Sequence, residues 1–303
     1  MLKIGVMGLG NIAQKAYLPV MAAMQDDYEW HLCTRNAAKG QHLAAKYGFT
    51  HVCQTLDELI ASGVDAVFVH TPTATHAAII EQLLRAGVNV YVDKPVATDP
   101  DVVARLYALA EEKHLLLTCG FNRRFAPNNV LLKQVAGKQM VTAEKSRQHT
   151  QQDAEFALWD LMIHPLDTAL WLASESVTPI ALQVRTDTAG MLQQAYYVAD
   201  GEHVHVAVTV NMDAHANLEQ VTVQGVDERL SSEDLLQLHR DDTASSTLVH
   251  RPDWEPVLET RGFAPLIRAF LQAVQNSGTN PVSPESVLAS HRACAALVAE
   301  LTK

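Results

Sequence analysis

Short β-rich runs alternate with helical patterns over the first 120 or so residues. Leu2 to Met7 is an apolar strand-like run, followed by a helix through Ala13, Ala16, Leu18 and Met21 whose regularity Pro19 limits. Trp30 to Cys33 reads as the second strand and Ala37 to Tyr47 as the next helix. Asp65 to His70 forms a third apolar strand, with a helix through Ala77, Ile80, Leu83 and Leu84 ending at Gly87. Asn89 to Val92 is a fourth strand, Asp99 caps a helix beginning at Pro100, and Leu115 to Thr118 closes the series. This alternation predicts parallel strands covered by helices on both faces and joined by right-handed crossovers.

Beyond residue 125 the period changes. Asp153 to Ala173 is one helical stretch with Leu166, Leu170 and Trp171 as its apolar stripe. Period-two segments follow: Ile180-Leu182-Val184, then Val204-Val206-Val208-Val210 with His203, His205 and Thr209 opposite, then Val221 and Val223. With a turn signal at Asp200-Gly201, these predict an antiparallel sheet buried on one face. Two helices finish the chain, one through Leu266, Phe270 and Val274 and one from Ser283-Pro284 onward.

The segment Gly8-Leu9-Gly10-Asn11-Ile12-Ala13 directly follows the first strand and has the G-x-G-x-x-A form of a dinucleotide fingerprint. Gly8 permits the tight turn, Gly10 lets a pyrophosphate approach the backbone, and Ala13 allows close helix–strand packing. Amides at the helix start, around Asn11 and Ile12, then meet the phosphates. A merely structural glycine turn is the alternative, weakened by the βαβ setting. The fold class expected is therefore α/β. Residues 1–122 form a Rossmann-type doubly wound parallel sheet that binds the dinucleotide. Residues 123–303 form a second α/β domain with a mainly antiparallel open sheet. At the end of the second strand stands Thr34-Arg35-Asn36, with no carboxylate to bond a ribose 2′-OH. A hydroxyl and a guanidinium there suit a 2′-phosphate, so NADP(H) is expected in preference to NAD(H).

Composition narrows the partners. Hydrophobic residues make up 48% of the 303 and charged residues 19%, and 23 Lys+Arg against 34 Asp+Glu give a net charge of −11. That balance argues against nucleic acid as a partner, since phosphate backbones are bound through cationic neutralisation. No apolar run reaches the roughly 20 residues needed to span a bilayer, so no membrane association is expected. No charged segment leads into a signal-type apolar core, and Cys33, Cys53, Cys119 and Cys294 lack paired or metal-type spacing. A cytoplasmic protein with reduced thiols is expected. His203, His205 and the His31/His42/His51 group also lack ligand spacing, so no metal site is expected.

Four further segments carry a family resemblance: Thr71-Pro72-Thr73-Ala74-Thr75-His76, Asp93-Lys94-Pro95, Gly120-Phe121-Asn122-Arg123-Arg124-Phe125, and Asp160-Leu161-Met162-Ile163-His164-Pro165-Leu166-Asp167. In order and spacing they resemble the T-P-N-x-x-H, E-K-P, G-F/Y-x-R-R-F/Y and D-x-x-x-H-x-x-D segments of the Gfo/Idh/MocA oxidoreductases. The surrounding residues, Phe68 to His70, Gly120 to Pro127 and Asp167 to Leu172, are most similar to the MviM-like branch. Thr73 stands where the family has Asn, and Asp93 where it has Glu. Phe156-Ala157-Leu158-Trp159 replaces the usual glycine triplet, which predicts a narrower and more apolar substrate pocket.

The resemblance implies an NAD(P)-dependent enzyme interconverting a secondary alcohol and a carbonyl on a small sugar-like, polyol or diol substrate. It implies cofactor contacts from Thr71, Pro72, Thr73, His76, Asp93, Lys94 and Arg123, beside Gly8, Gly10, Asn11, Ile12, Thr34 and Arg35. Lys94 would stabilise the reacting oxygen, His164 would exchange its proton, and Asp160, four residues earlier on one helix face, would support the histidine. Taken alone, Lys94 would be a solvated side chain and Asp160–His164 a surface pair; the motif positions favour the catalytic reading. Arg123 and Arg124 are either a plain basic pair or have one member facing the site, and Asp167 is structural. Two other functions stay open: redox-neutral, NAD-assisted glycoside cleavage, and a non-catalytic cofactor sensor or scaffold. The half-buried sheet predicts a homodimer or dimer of dimers.

Overall fold

The computed structural model describes residues 1–302. The chain divides into two compact units: Met1–Gly120 with Phe263–Pro284, and Phe121–Gly262 with Glu285 onward. The linear reading, with one boundary at 122/123, thus misplaces the segment Phe263–Pro284. Its helix, Phe263–Gln275, packs with the first unit through aromatic contacts no local pattern announces: Phe270 lies 5.3 Å from Phe68 and 5.6 Å from Tyr91, and Phe263 lies 5.6 Å from Tyr17.

In the first unit the strands are β1 (Leu2–Met7), β2 (Tyr28–Cys33), β3 (His51–Cys53), β4 (Ala66–Val69), β5 (Asn89–Val92) and β6 (Leu117–Cys119). They form a parallel sheet in the order β3-β2-β1-β4-β5-β6, the reversal of direction after β3 placing the switch point beside β1. Leu59 of helix Leu56–Ala61 lies over Gly5 on one face, while Tyr17 and Phe270 cover Phe68 on the other. The strand β3 and the helix after it escape the sequence pattern. Three residues, His-Val-Cys, at a sheet edge carry neither an apolar run nor a period.

Local signals set the remaining boundaries. Asn36 caps helix Ala37–Tyr47 by accepting from the Lys39 amide at 3.0 Å, and Asp99 caps Pro100–Glu112 by accepting from the Asp101 amide at 2.9 Å. Pro19 acts as expected: a π-helical turn, Ala13–Tyr17, precedes the α-helix Leu18–Ala22. Proline has no amide to give to the carbonyl four residues back, and the wider turn accommodates its ring.

The second unit holds β7 (Met140–Gln148), β8 (Thr178–Thr186), β9 (Leu192–Asp200), β10 (His205–Ala214), β11 (Leu218–Gln224), β12 (Glu228–Glu233), β13 (Gln237–Asp242) and β14 (Ser246–Val249). Their order is β14-β13-β12-β11-β7-β10-β9-β8, antiparallel except for β7 with β10. Val206, Val208, Val210 and Met212 point to the buried face, covered by helix Ile163–Ala173. The expected burial along β8 does not hold, because this is an edge strand and Ile180 is exposed. The single helix expected over 153–173 is three pieces: Ala154–Ala157, a π-helical turn Leu158–Met162, and Ile163–Ala173.

Phe270 tests the membership of the late helix in the first unit. Phe270→Ala should destabilise that unit by about 3–5 kcal/mol, the usual cost of removing a buried phenyl ring. Urea denaturation followed by the fluorescence of Trp30, 6.2 Å from Phe68 in the same cluster, reads it; an unchanged midpoint would reject the packing argument.

Candidate active site

The glycine loop after β1 has the shape the fingerprint requires. Gly8 has φ +93°, and a Cβ there would come within 2.9 Å of the His70 carbonyl carbon and of Thr71. A Cβ on Gly10 would meet, among the described residues, only the His70 oxygen at 3.9 Å, so the backbone stays open to a ligand. Ala13 is fully buried, while Asn11 and Ile12 are exposed on the first helical turn. These features fit a pyrophosphate at the helix start. At the end of β2, the Thr34 amide donates to the Cys53 carbonyl and Asn36 is occupied as a helix cap. Arg35 is exposed and makes no ion pair among the described residues.

The segments Thr71–His76 and Asp93–Pro95 are tied together by one buried ring. His76 Nδ1 lies 2.9 Å from the Pro95 carbonyl and Nε2 lies 2.8 Å from the Thr71 carbonyl. Both ring nitrogens thus face backbone carbonyls, one from each segment. Thr75 Oγ1 donates its one proton to the Pro72 carbonyl and meets the Thr71 hydroxyl, each at 2.8 Å, closing the turn Thr73–Thr75.

Asp93 departs from the role the motif suggests. Its Oδ1 accepts from the Tyr17 hydroxyl at 2.5 Å, its Oδ2 pairs with His70 Nδ1 at 2.7 Å, and Tyr17 also meets Tyr91 at 3.0 Å. The carboxylate anchors the strand ends instead of standing free for a ligand. Burial pushes its pKa up, but His70, Tyr17 and His76 outweigh burial and hold it below the ordinary value. The sign follows: this stabilisation is present above the usual aspartate range and is lost as pH falls through the lowered value. Lys94, half-buried, follows Asp93 at the carboxyl end of β5, and its bond to Pro95 is cis. Both its neighbours are fixed by hydrogen bonds, which sets the direction of its backbone.

In the second unit, Asp160 and His164 are the half-exposed positions in the otherwise buried run 157–169, so they emerge on one side. Asp160 belongs to the π turn and His164 to the α-helix after it. His164 Nδ1 lies 2.7 Å from Arg123 Nη1. Arg123 in turn grips Glu219 with Nε and Nη2, and Glu219 also accepts from Lys145. Glu219 and Lys145 face each other in the β11–β7 register on the covered face of the sheet. Burial pushes the Glu219 carboxyl up, but Arg123 and Lys145 more than reverse this and keep it ionised. Burial and Arg123 push the Lys145 ammonium down to about 7 against the pull of Glu219.

The arginine pair thus splits. Arg123 belongs to the histidine, while Arg124 forms a buried two-point bridge to Asp167, which also accepts from Ser290 at 2.8 Å. Asp167 is structural, as expected. In the stretch Phe156–Trp159, only Phe156 is exposed; Ala157, Leu158 and Trp159 enter the core of the second unit, so their bulk fills the interior and not a pocket. Tyr17, His70, Lys145 and Glu219 were missed by sequence reasoning. Each matters through a partner 23 to 76 positions away, and only Glu219–Lys145 had a findable signal, two opposite charges in period-two segments.

Comparison with known proteins shows the family of the chain. The oxidoreductase family with an NAD-binding Rossmann fold matches residues 2–121, and the YceM-like C-terminal domain matches residues 128–243. YceM of Salmonella typhimurium, named as an oxidoreductase without a substrate, is 34% identical over 308 positions, covering 98% of this chain and 97% of its own. The crystal structure of the dehydrogenase MviM from Clostridium difficile superposes with a TM-score of 0.92 at 27% identity, covering 98% of this chain and 99% of that one. UDP-N-acetylglucosamine 3-dehydrogenase of Acidithiobacillus ferrooxidans is 30% identical over 201 positions, 63% of this chain and 61% of its own. Fold and family together define an NAD(P)-dependent oxidoreductase. The chain belongs to the Gfo/Idh/MocA family and lies near its MviM-like members.

The buried charge cluster makes an asymmetric prediction. Glu219→Gln leaves two buried cations without their anion and should destabilise the protein by about 3–5 kcal/mol. Lys145→Met removes a charge while the Arg123–Glu219 bridge persists, and should change stability far less. Urea unfolding of the three proteins distinguishes them; equal losses would contradict the assignment of Glu219 as the hub.

Proposed function

We propose that this protein interconverts a secondary alcohol and a carbonyl on a small sugar-like, polyol or diol substrate, with NADP(H) as the preferred cofactor. The observation that carries the reading is Lys94, held between two hydrogen-bonded neighbours at the carboxyl end of a parallel strand in a dinucleotide-binding sheet, where such folds place their ligands. The relative named for oxidising position 3 of a UDP-sugar supports a CH–OH substrate. The residues that would hold the cofactor are the Gly8–Ile12 loop, Thr34, Arg35 and the Thr71–Thr73 turn. When bound, a nicotinamide dinucleotide gives or takes the hydride.

The Arg123 contact changes the division of labour at the reacting oxygen. A guanidinium donates and cannot accept, so His164 Nδ1 accepts and the neutral ring carries its proton on Nε2. In that tautomer Nε2 offers a donor and no lone pair. His164 then holds the substrate oxygen as charge develops, while the proton is exchanged at Lys94 Nζ, ammonium giving it on reduction and amine taking it on oxidation. This reverses the roles that the motif alone suggests. Asp160 remains a supporting residue and Arg123 a positioning residue, set by Glu219, not a cofactor contact.

The open face of the second sheet presents Thr142, Glu144, Tyr196, Thr209 and Gln220. It supports assembly as a homodimer or dimer of dimers. No described helix is long and apolar enough to cross a membrane. Together with the free state of Cys33, Cys53, Cys119 and Cys294, this supports a cytoplasmic location.

A screen of sugars, polyols, ketones and diols at the nicotinamide absorbance tests the reaction; glycoside cleavage with no net change of cofactor would replace it with the redox-neutral alternative. With a substrate in hand, Lys94→Ala should lose roughly 10²–10⁴-fold in turnover while still binding cofactor. His164→Gln keeps a donor without a base and should retain clearly more activity than His164→Ala. Equal activities in the two variants would reject the donor role.

Cofactor choice has its own test. A charge-assisted contact from Arg35 to a 2′-phosphate contributes roughly 1.5–3 kcal/mol, about ten- to a hundredfold in affinity. Arg35→Ala should weaken NADPH binding by that factor and leave NADH nearly unchanged, measured by cofactor fluorescence. A variant that keeps its preference would remove Arg35 from the assignment.

A further inference from the structure

We propose that Glu29, His31 and His51 form a binding site for a divalent transition-metal ion, zinc(II) foremost, at the edge of the first unit's sheet. The sequence offers no ligand spacing here because the site is made by strand pairing. Glu29 and His31 are two apart on β2 and share a face, and the parallel register sets His51 of β3 directly beside His31. His31 Nε2 lies 2.7 Å and His51 Nε2 lies 3.6 Å from the same oxygen, Glu29 Oε1. The three ligand atoms all lie within 4.8 Å of one another.

Those separations bracket what a metal needs. Bonds of about 2.0–2.2 Å in a tetrahedral arrangement place ligand atoms roughly 3.3–3.6 Å apart. A small opening of the Glu29–His31 contact and a tilt of the two rings, now stacked at 4.4 Å with planes 10° apart, would bring all three to that spacing. An ion pair accounts for Glu29 with His31, but not for a second imidazole stacked on the first and turned to the same oxygen. Lys3 stands opposite Glu29 on β1, yet its ammonium reaches the Ser62 carbonyl at 3.4 Å.

Two imidazoles and one carboxylate suit zinc and its neighbours better than magnesium or calcium, which take oxygen ligands. His51 is half exposed and Glu29 partly so, which leaves an entry path and a fourth position for water. The consequence would be structural. β3 has three residues, and Thr34, beside the proposed 2′-phosphate contact, hangs on it through the Cys53 carbonyl. A metal across β2 and β3 would clamp that edge.

The test uses the intact protein stripped with chelator and then titrated with zinc(II) by calorimetry, with cobalt(II) as an optical probe. The expected result is a site that raises the melting temperature and gives cobalt(II) the intense visible bands of tetrahedral coordination. His51→Ala and the conservative His51→Gln, both at an exposed position, should weaken zinc binding by about tenfold or more and abolish the bands. His203→Ala, at a separate histidine–carboxylate pair in the second unit, should change neither. Absence of zinc binding, or binding unaltered by the His51 substitutions, would overturn the proposal.

Discussion

A buried carboxylate can persist only where the surrounding groups return what water would have given it, and Asp93 shows how much structure that demand can organise. Its two oxygens draw in Tyr17 from the helix after the glycine loop and His70 from the end of β4. Three strand ends are thereby fixed by one side chain: the turn after β1 through Tyr17, β4 through His70, and β5 through Asp93 itself. These are the ends at which a parallel sheet binds its ligand. A longer side chain in place of Asp93 would have to displace Tyr17 or His70, so the shortened acid and the tyrosine beneath it belong together.

The second unit meets the same constraint with the opposite economy of charge. Glu219 is a buried anion between two cations, and its function is to keep Arg123 in place. Because Arg123 is spoken for on one side, the group it offers to His164 is a fixed donor, and the ring's tautomer follows. Here the tautomer of His164 is set by a cation that cannot accept a hydrogen bond.

The two π-helical turns, Ala13–Tyr17 and Leu158–Met162, sit where side chains of consequence leave a helix. The first delivers Tyr17 to Asp93; the second carries Asp160 one turn ahead of His164. Pro19 follows the first turn and Pro165 the second, and each lacks the amide that would go to a carbonyl inside its turn, that of Lys15 or of Leu161. Wider turns rotate the residues that follow, so each side chain's direction is set by the turn as much as by its place in the motif.

What the sequence by itself determined is whatever a few neighbouring residues decide: the parallel-strand series, the capped helix starts at Asn36 and Asp99, the glycine loop, and the ordered motifs that place Lys94, Asp160 and His164. These depend on period, backbone freedom and local hydrogen bonding, which a linear string records. Tertiary structure alone decided that Phe263–Pro284 returns to the first unit and that Asp93 is an anchor. It also decided that Arg123 and Arg124 go to different acids, that Lys145 faces Glu219, and that His31 meets His51. Each of these is a pairing between distant positions. Register and packing choose such partners by burying charge against charge and ring against ring, and no spacing along the chain encodes which strands will lie side by side.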